Sequence, residues 1–319
     1  MRAVLYDNGV SYSDSHPDVE PGEGECVVKV HLAGICSTDL EIVKGYLGFT
    51  GVFGHEFVGT VESGSRQWLK RRVVGEINCA CRACDMCQAG LSNHCRHRTV
   101  LGISGHDGCF ADTVAVPEIN LHEVPDGISD EEAVFVEPLA AAYQVTKQCP
   151  IDQRSKVAVV GTGRLGLLVA QVLATTGCRL LAVGRNPNTL LFCEKKRIQA
   201  VSVDDFIAKQ DRDVVVECTG SPDGFNIALQ MLRPRGTLVL KSTFAESGDL
   251  NLASVVVNEI DVRGSRCGPF SDALNALARK QIDVSSMVSR AFRLEHGIKA
   301  LEAARRPENI KILLKINPR

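Results

Sequence analysis

The rhythm of hydrophobic and polar positions changes once along the chain. In the first half, short β-branched runs such as Cys26–Ala33 (CVVKVHLA) and Glu56–Val61 are separated by glycine-containing turns, which predicts a series of short strands. The opening residues, MRAVLYDNG, carry the same strand-like alternation. From Lys156 the texture differs. Lys156–Val160 (KVAVV) is a continuous apolar run, followed by a glycine-rich turn and then by Leu165–Thr176 with helical spacing. Arg179–Val183 (RLLAV), Asp213–Glu217 (DVVVE) and Thr237–Leu240 (TLVL) predict later strands. Apolar strands alternating with helices predict a parallel sheet covered on both faces. Beyond about Ser289 the tail carries one helical pattern, Leu294–Ala304, and a last strand, Ile310–Ile316. The expected fold class is α/β: a β-rich domain followed by a doubly wound parallel sheet.

Composition narrows the function more than the fold. The 319 residues suffice for two domains with their own cores. A net charge of -2 supplies no basic field for nucleic acid or an anionic membrane. The N-terminus lacks the apolar stretch of a signal peptide, and no run approaches ~18 apolar residues, so a cytoplasmic location is expected. Thirteen cysteines is a high count for such a chain, and five of them (Cys79, Cys81, Cys84, Cys87 and Cys95) crowd into one short loop. A reducing compartment and an odd total both argue against disulfides, leaving metal binding as the better reading.

Within that loop, Cys81-x2-Cys84-x2-Cys87-x7-Cys95 offers four thiolates from one short segment. A structural zinc ion takes four ligands in a closed tetrahedron, and thiolates favour it over the alkaline-earth ions. An iron–sulfur cluster is the alternative for the same donor set. Free surface thiols would be oxidation-prone and have no reason to cluster. Cys79 is spare in this register and takes no role.

Gly161-Thr162-Gly163-Arg164-Leu165-Gly166 fits G-x-G-x-x-G, directly after a predicted strand and opening a predicted helix. The first glycine allows the tight turn, the second lets backbone approach a pyrophosphate, and the third lets helix pack on strand. The helix N-terminus then presents unpaired N–H groups to phosphate. An NAD site usually ends the next strand in a carboxylate that binds the ribose; here that strand ends in Val183-Gly184-Arg185. Gly184 removes the repulsion of a 2′-phosphate and Arg185 can pair with it, which favours NADP(H) over NAD(H). Thr219, after the strand Asp213–Glu217, is a further cofactor-binding candidate.

Three scattered pieces gain weight only together: Cys36 in Gly34-Ile35-Cys36-Ser37-Thr38-Asp39, His55 and Glu56 in Gly54-His55-Glu56-Phe57-Val58-Gly59, and Glu137 in Glu137-Pro138-Leu139-Ala140. Singly, each is as well explained by core packing or a helix start. Jointly, a thiolate, an imidazole and a carboxylate make a three-ligand zinc site with an open position, the form expected of catalytic zinc.

Taken with the four-cysteine loop and GTGRLG, these motifs resemble the zinc-containing medium-chain dehydrogenase/reductase family, from about residue 26 to 220, and the tail is similar to that family's closing segment. The resemblance implies a GroES-like catalytic domain over 1–145, a Rossmann dinucleotide-binding domain over 146–288, and a segment 289–319 returning to the catalytic domain. It implies catalytic zinc on Cys36 and His55, completed by Glu56 or Glu137. Glutamate at 137, where ordinary alcohol dehydrogenases carry cysteine, points to the polyol and sugar branch. Thr38 stands where the family places the hydroxyl that accepts the alcohol proton; Glu41 replaces the histidine that often receives it next. Phe53 replaces a common proline and is either pocket or core. Lys311 lies where a basic residue of the family often approaches the pyrophosphate. The resemblance also implies a homodimer or homotetramer, with edge pairing around Leu250–Val262 as one route. The expected activity is hydride transfer between an alcohol, polyol or sugar hydroxyl and NADP(H) or NAD(H). A zinc-free quinone or enoyl reductase on the same fold, and a non-catalytic dinucleotide-binding redox sensor, are the rival readings.

Overall fold

Strand Glu25–Gly34 is the spine of the N-terminal half. Its residues alternate between buried and accessible up to Val30, then are buried continuously to Gly34. Continuous burial means that the strand's second half is covered on both faces. In the computed structural model, which describes residues 1–45, 48–243, 250 and 252–318, this strand pairs antiparallel with Glu56–Ser63, Thr113–Pro117 and Lys311–Lys315. The last of these comes from the far end of the chain. Among the described residues the sheet has seven strands, extended by Arg72–Gly75 and Leu121–Glu123 on one side and Val288–Arg293 on the other. The register sets Gly34 opposite Glu56 on one side and opposite Leu313 on the other. Segments remote along the chain therefore meet at one end of the spine.

The second sheet has six parallel strands in the order Gln199–Ser202, Arg179–Gly184, Lys156–Val160, Arg212–Glu217, Leu232–Leu240 and Asp261–Gly264. This is the doubly wound order in which ligands bind outside the carboxyl ends of the strands, where the order reverses. The reversal falls at Lys156–Val160, whose carboxyl end runs into the glycine turn. Val157, Ala158 and Val159 are fully buried, as a central parallel strand requires. Helix Arg164–Ala174 follows it, helix Pro187–Lys195 is capped by Asn186, and helix Pro222–Met231 is capped by Ser221.

The chain divides into two compact units: Met1–Glu137 with Ala273–Arg279 and Val284–Arg319, and Pro138–Asp272 with Lys280–Asp283. The first division falls at Glu137, earlier than the boundary expected at 145. Helix Val136–Gln148 explains the shift, because its residues bond within the second unit: the Ala141 carbonyl accepts Lys241 Nζ at 2.7 Å, and the Gln148 carbonyl accepts Arg263. Among the described residues, no helix is long and apolar enough to cross a membrane.

Candidate metal centres and dinucleotide turn

Cys36 lies just beyond the spine strand and caps helix Ser37–Ile42. Its backbone N–H donates to Asp39 Oδ2 at 2.7 Å, and its Sγ lies 3.7 Å from Thr38 Oγ1. His55 stands immediately before the neighbouring strand Glu56–Ser63. The turn before it depends on Gly54, whose φ of +93° suits glycine and whose Cβ, were there one, would stand 2.2 Å from the Phe110 ring. His55 and Glu56 are buried. The ligand atoms of Cys36, His55 and Glu56 all lie within 4.8 Å of one another. A soft thiolate, an imidazole and a carboxylate in that space fit a three-ligand zinc site.

Asp39 completes the arrangement. It is fully buried, and its Oδ1 stands 3.4 Å from His55 Nδ1. A carboxylate on the Nδ1 side is the usual outer-shell partner of a metal-bound histidine, and it would leave Nε2 for a metal. Burial works to lower the pKa of His55, but Asp39 and Cys36 outweigh it and hold the pKa well above its ordinary value. Asp39 was not among the residues singled out from sequence. Its signal was present: a carboxylate three residues after the capping position, able to reach back to the cap N–H.

Glu137 sits in the first turn of helix Val136–Gln148, half-buried, and is not part of the group formed by Cys36, His55 and Glu56. Glu56 is engaged from a second side. Lys311, expected at the pyrophosphate, is buried instead, with its ammonium on Glu56 Oε2 and 3.3 Å from the Ile35 carbonyl. The reason is the register: both side chains flank Gly34, where a Cβ would come within 2.5 Å of Glu56 Oε2 and 2.8 Å of Lys311 Cε. Glu41, on the accessible side of helix Ser37–Ile42, pairs with Lys44 at 2.8 Å. Phe53 belongs to the core: it is fully buried, with ring centroids 5.7 Å from Tyr6 and 6.4 Å from Phe110.

The four-cysteine loop closes on itself. Cys81, Cys84, Cys87 and Cys95 have their sulfurs mutually within 4.8 Å. The closest separations are 3.4 Å (Cys95 to Cys81), 3.6 Å (Cys84 to Cys87) and 3.8 Å (Cys84 to Cys95). Four sulfurs at the zinc–thiolate distance from one centre stand about 3.8 Å apart, so the loop is shaped as that tetrahedron. Backbone N–H groups of Cys81 and His97 both donate to Cys95 Sγ at 3.3 Å, and those of Arg96 and Cys87 pull the Cys84 thiol down to about 6. Cys79 lies outside the four.

In the second unit, Gly161 (φ +99°) begins the turn, and a Cβ there would meet the Cys218 carbonyl carbon at 2.8 Å. A Cβ on Gly166 would strike the Gly161 carbonyl oxygen at 1.8 Å. Gly163 differs: nothing lies within 4 Å of its would-be Cβ. The protein itself makes no demand for glycine there, so the open space is what a closely approaching ligand would use. Gly163 caps helix Arg164–Ala174 without a side-chain cap, and the N-terminus of a helix is suited to an anion. Gly184 packs on Thr162, whose Oγ1 would stand 2.0 Å from a Cβ, and Thr162 bonds Thr189 at 2.7 Å. Arg185 has its side chain 73% exposed. Thr219 donates its hydroxyl and N–H to buried Glu217.

Comparison with known proteins agrees with these features. Residues 22–126 match the family model for the alcohol dehydrogenase GroES-like domain, and residues 165–281 match the model for zinc-binding dehydrogenases. The chain is similar to a sorbitol dehydrogenase of Halalkalibacterium halodurans, 28% identical over 93% of each protein. Among solved structures it is similar to an alcohol dehydrogenase from Thermus sp. ATN1, with a TM-score of 0.89 and 28% identity over 99% of this chain and all of that one. A protein from Sinorhizobium meliloti described as a zinc-binding dehydrogenase, bound to NADP, aligns with a TM-score of 0.87 and 26% identity over 98% of each chain.

Proposed function

The chain belongs to the zinc-containing medium-chain dehydrogenase/reductase family, and on that premise we propose that it passes hydride between a polyol or sugar hydroxyl and NADP(H). The observation that carries this reading is the convergence of Cys36, His55 and Glu56 on one point, in a chain that also holds a dinucleotide turn. Zinc there would supply a Lewis acid for the substrate oxygen, and the nicotinamide would supply the hydride acceptor. The chain's own residues do the rest. Asp39 orients Cys36 and His55. Thr38 accepts the alcohol proton, and Glu41 passes it on toward solvent. Lys311 steadies Glu56, which we take as the third ligand ahead of Glu137 because Glu56 belongs to the convergent group.

Several finer assignments join this proposal. The four-cysteine loop holds a second, structural zinc, giving two per chain. The first unit acts as the catalytic domain and the second as the nucleotide-binding domain, in a cytoplasmic enzyme. Gly161, Thr162, Gly163, Arg164, Leu165 and Gly166 hold the pyrophosphate, with Thr219 beside them. Support for NADP(H) comes from position 184, where the space a carboxylate would need is filled by Thr162, and from the accessible Arg185 next to it. The enzyme assembles as a homodimer through the edge strand Asp261–Gly264.

The deciding experiment is a cofactor-reduction screen of alcohols, polyols and aldoses with NAD⁺ and NADP⁺, on metal-replete protein. Cys36→Ser and His55→Ala are each expected to abolish turnover and lower the zinc content from two per chain to one, with cofactor binding intact. Turnover retained in both variants would refute the metal mechanism.

A further inference from the structure

Arg185 and Asp223 belong to different strand-to-helix crossings of the parallel sheet. Arg185 follows strand Arg179–Gly184. Asp223 is in the first turn of helix Pro222–Met231, whose start is fixed where Ser221 Oγ accepts the Gly224 N–H at 3.1 Å and meets Thr219 Oγ1 at 3.0 Å. Between the strands that precede them lies Lys156–Val160, which runs into the glycine turn. Arg185 Nη2 and Asp223 Oδ2 are 3.8 Å apart, so this pair reaches across the end of that central strand. The side chains are 73% and 78% exposed, and the contact is loose. The guanidinium assigned to the 2′-phosphate thus already has an anionic neighbour.

We propose that Asp223 is a specificity-determining residue at the adenosine end of the cofactor site: its carboxylate competes with the 2′-phosphate for Arg185. This rests on the NADP(H) reading above and deepens it. A phosphate carries more charge than a carboxylate and can take both arms of the guanidinium, so it displaces Asp223. The displacement lowers the net gain from the phosphate. A cofactor with a free 2′-hydroxyl makes no such demand on Arg185. Asp223 therefore weakens the phosphorylated cofactor selectively and keeps the discrimination of this site below what Arg185 alone would give.

The test is binding of NADPH and NADH, followed by nicotinamide fluorescence on the intact chain, for the unmodified protein, Asp223→Asn, Arg185→Ala and the double variant. Asp223→Asn is expected to tighten NADPH about three- to fivefold, the scale of an exposed ion pair, and to change NADH by less than about twofold. Arg185→Ala is expected to weaken NADPH selectively and to erase the gain from Asp223→Asn. Raising the salt should shrink both effects. An Asp223→Asn variant that leaves NADPH unchanged, that shifts both cofactors equally, or whose gain persists without Arg185 overturns the competition. If Arg185→Ala itself shifts both cofactors equally, the NADP(H) reading falls. If Arg185→Ala is selective and Asp223→Asn is silent, only the present inference falls.

Discussion

Glu56 and Lys311 are separated by most of the chain, yet they form a buried ion pair beside the proposed catalytic metal. Removing one partner of such a pair leaves a charge without compensation, which costs far more than the pair itself contributes. Lys311→Met is therefore expected to lower unfolding stability by about 3–5 kcal/mol in metal-free protein. Adding Glu56→Gln to that variant should restore most of the loss, and denaturant melts of the single and double variants would measure it. An undiminished loss in the double variant would mean that packing of the lysine stem, over the Phe135 ring 5.5 Å from its ammonium, matters more than its charge. The convergence of Cys36, His55 and Glu56 could be anticipated from the sequence because thiol, imidazole and carboxylate chemistry is written in residue type. Their outer partners could not. Asp39 reads locally as a helix-start carboxylate, and Lys311 as one more lysine on a strand, until the fold brings the first beside His55 and the second onto Glu56.

At the scale of elements, the strands of the parallel sheet were visible because burial on both faces leaves continuous apolar runs, as at Lys156–Val160, which begins and ends where the pattern predicts. Glycines were visible by position but not by reason, and the structure separates the reasons. Gly54→Ala is expected to cost about 1–3 kcal/mol in backbone strain alone, with the Phe110 clash added, and to lose the His55 site with it. Gly163→Ala meets open space at a φ of -76°, so stability should hold or rise by about 0.4–1 kcal/mol. Its cofactor affinity should nonetheless fall about tenfold or more, equivalent to one lost contact of about 1.4 kcal/mol. Thermal melts and fluorescence titration together would distinguish the two glycines. Helix Asp130–Ala133 adds a pH dependence. Burial opposes the charge of Asp130, but His31, at 3.0 Å, and then Arg72, at 3.0 Å, outweigh it and hold the carboxyl below its usual 3.8. A depressed folded-state pKa gives stability that is present above pH 3.8 and lost as pH falls through the lower folded value. Asp130→Asn should therefore cost about 1.5–3 kcal/mol at neutral pH, with the difference from the unmodified protein closing as the pH falls below 3.8. A constant difference across that range would place the effect elsewhere.

For the whole molecule, the proposed homodimer turns on the edge of the parallel sheet. Strand Asp261–Gly264 has one neighbouring strand among the described residues, Leu232–Leu240, and its outer backbone groups have no ladder. Natural proteins seldom leave such an edge exposed without a device to cover it. Leu252, Val256 and Val257, on the helix just before it, are 58%, 76% and 80% exposed, a concentration of apolar surface unlike the rest of this unit. The sequence expectation of edge pairing spanned Leu250–Val262, of which Asn251 lies outside the described residues. Two copies pairing antiparallel about a twofold axis at Val262 would set Asp261 of each copy opposite Arg263 of the other, which is complementary by charge. Within one chain those two side chains already bond each other, Arg263 Nε to Asp261 Oδ2 at 2.8 Å, so pairing would exchange one ion pair within each copy for two shared between the copies. Arg263→Asp would place like charges in register and is expected to shift the protein from dimer to monomer in sedimentation velocity. Adding Asp261→Arg restores the alternation with the signs reversed and should recover the dimer. Val256→Glu with Val257→Glu tests the apolar neighbour separately. A dimer that survives Arg263→Asp but not the paired valine change would move the contact from the strand edge to the helix beside it.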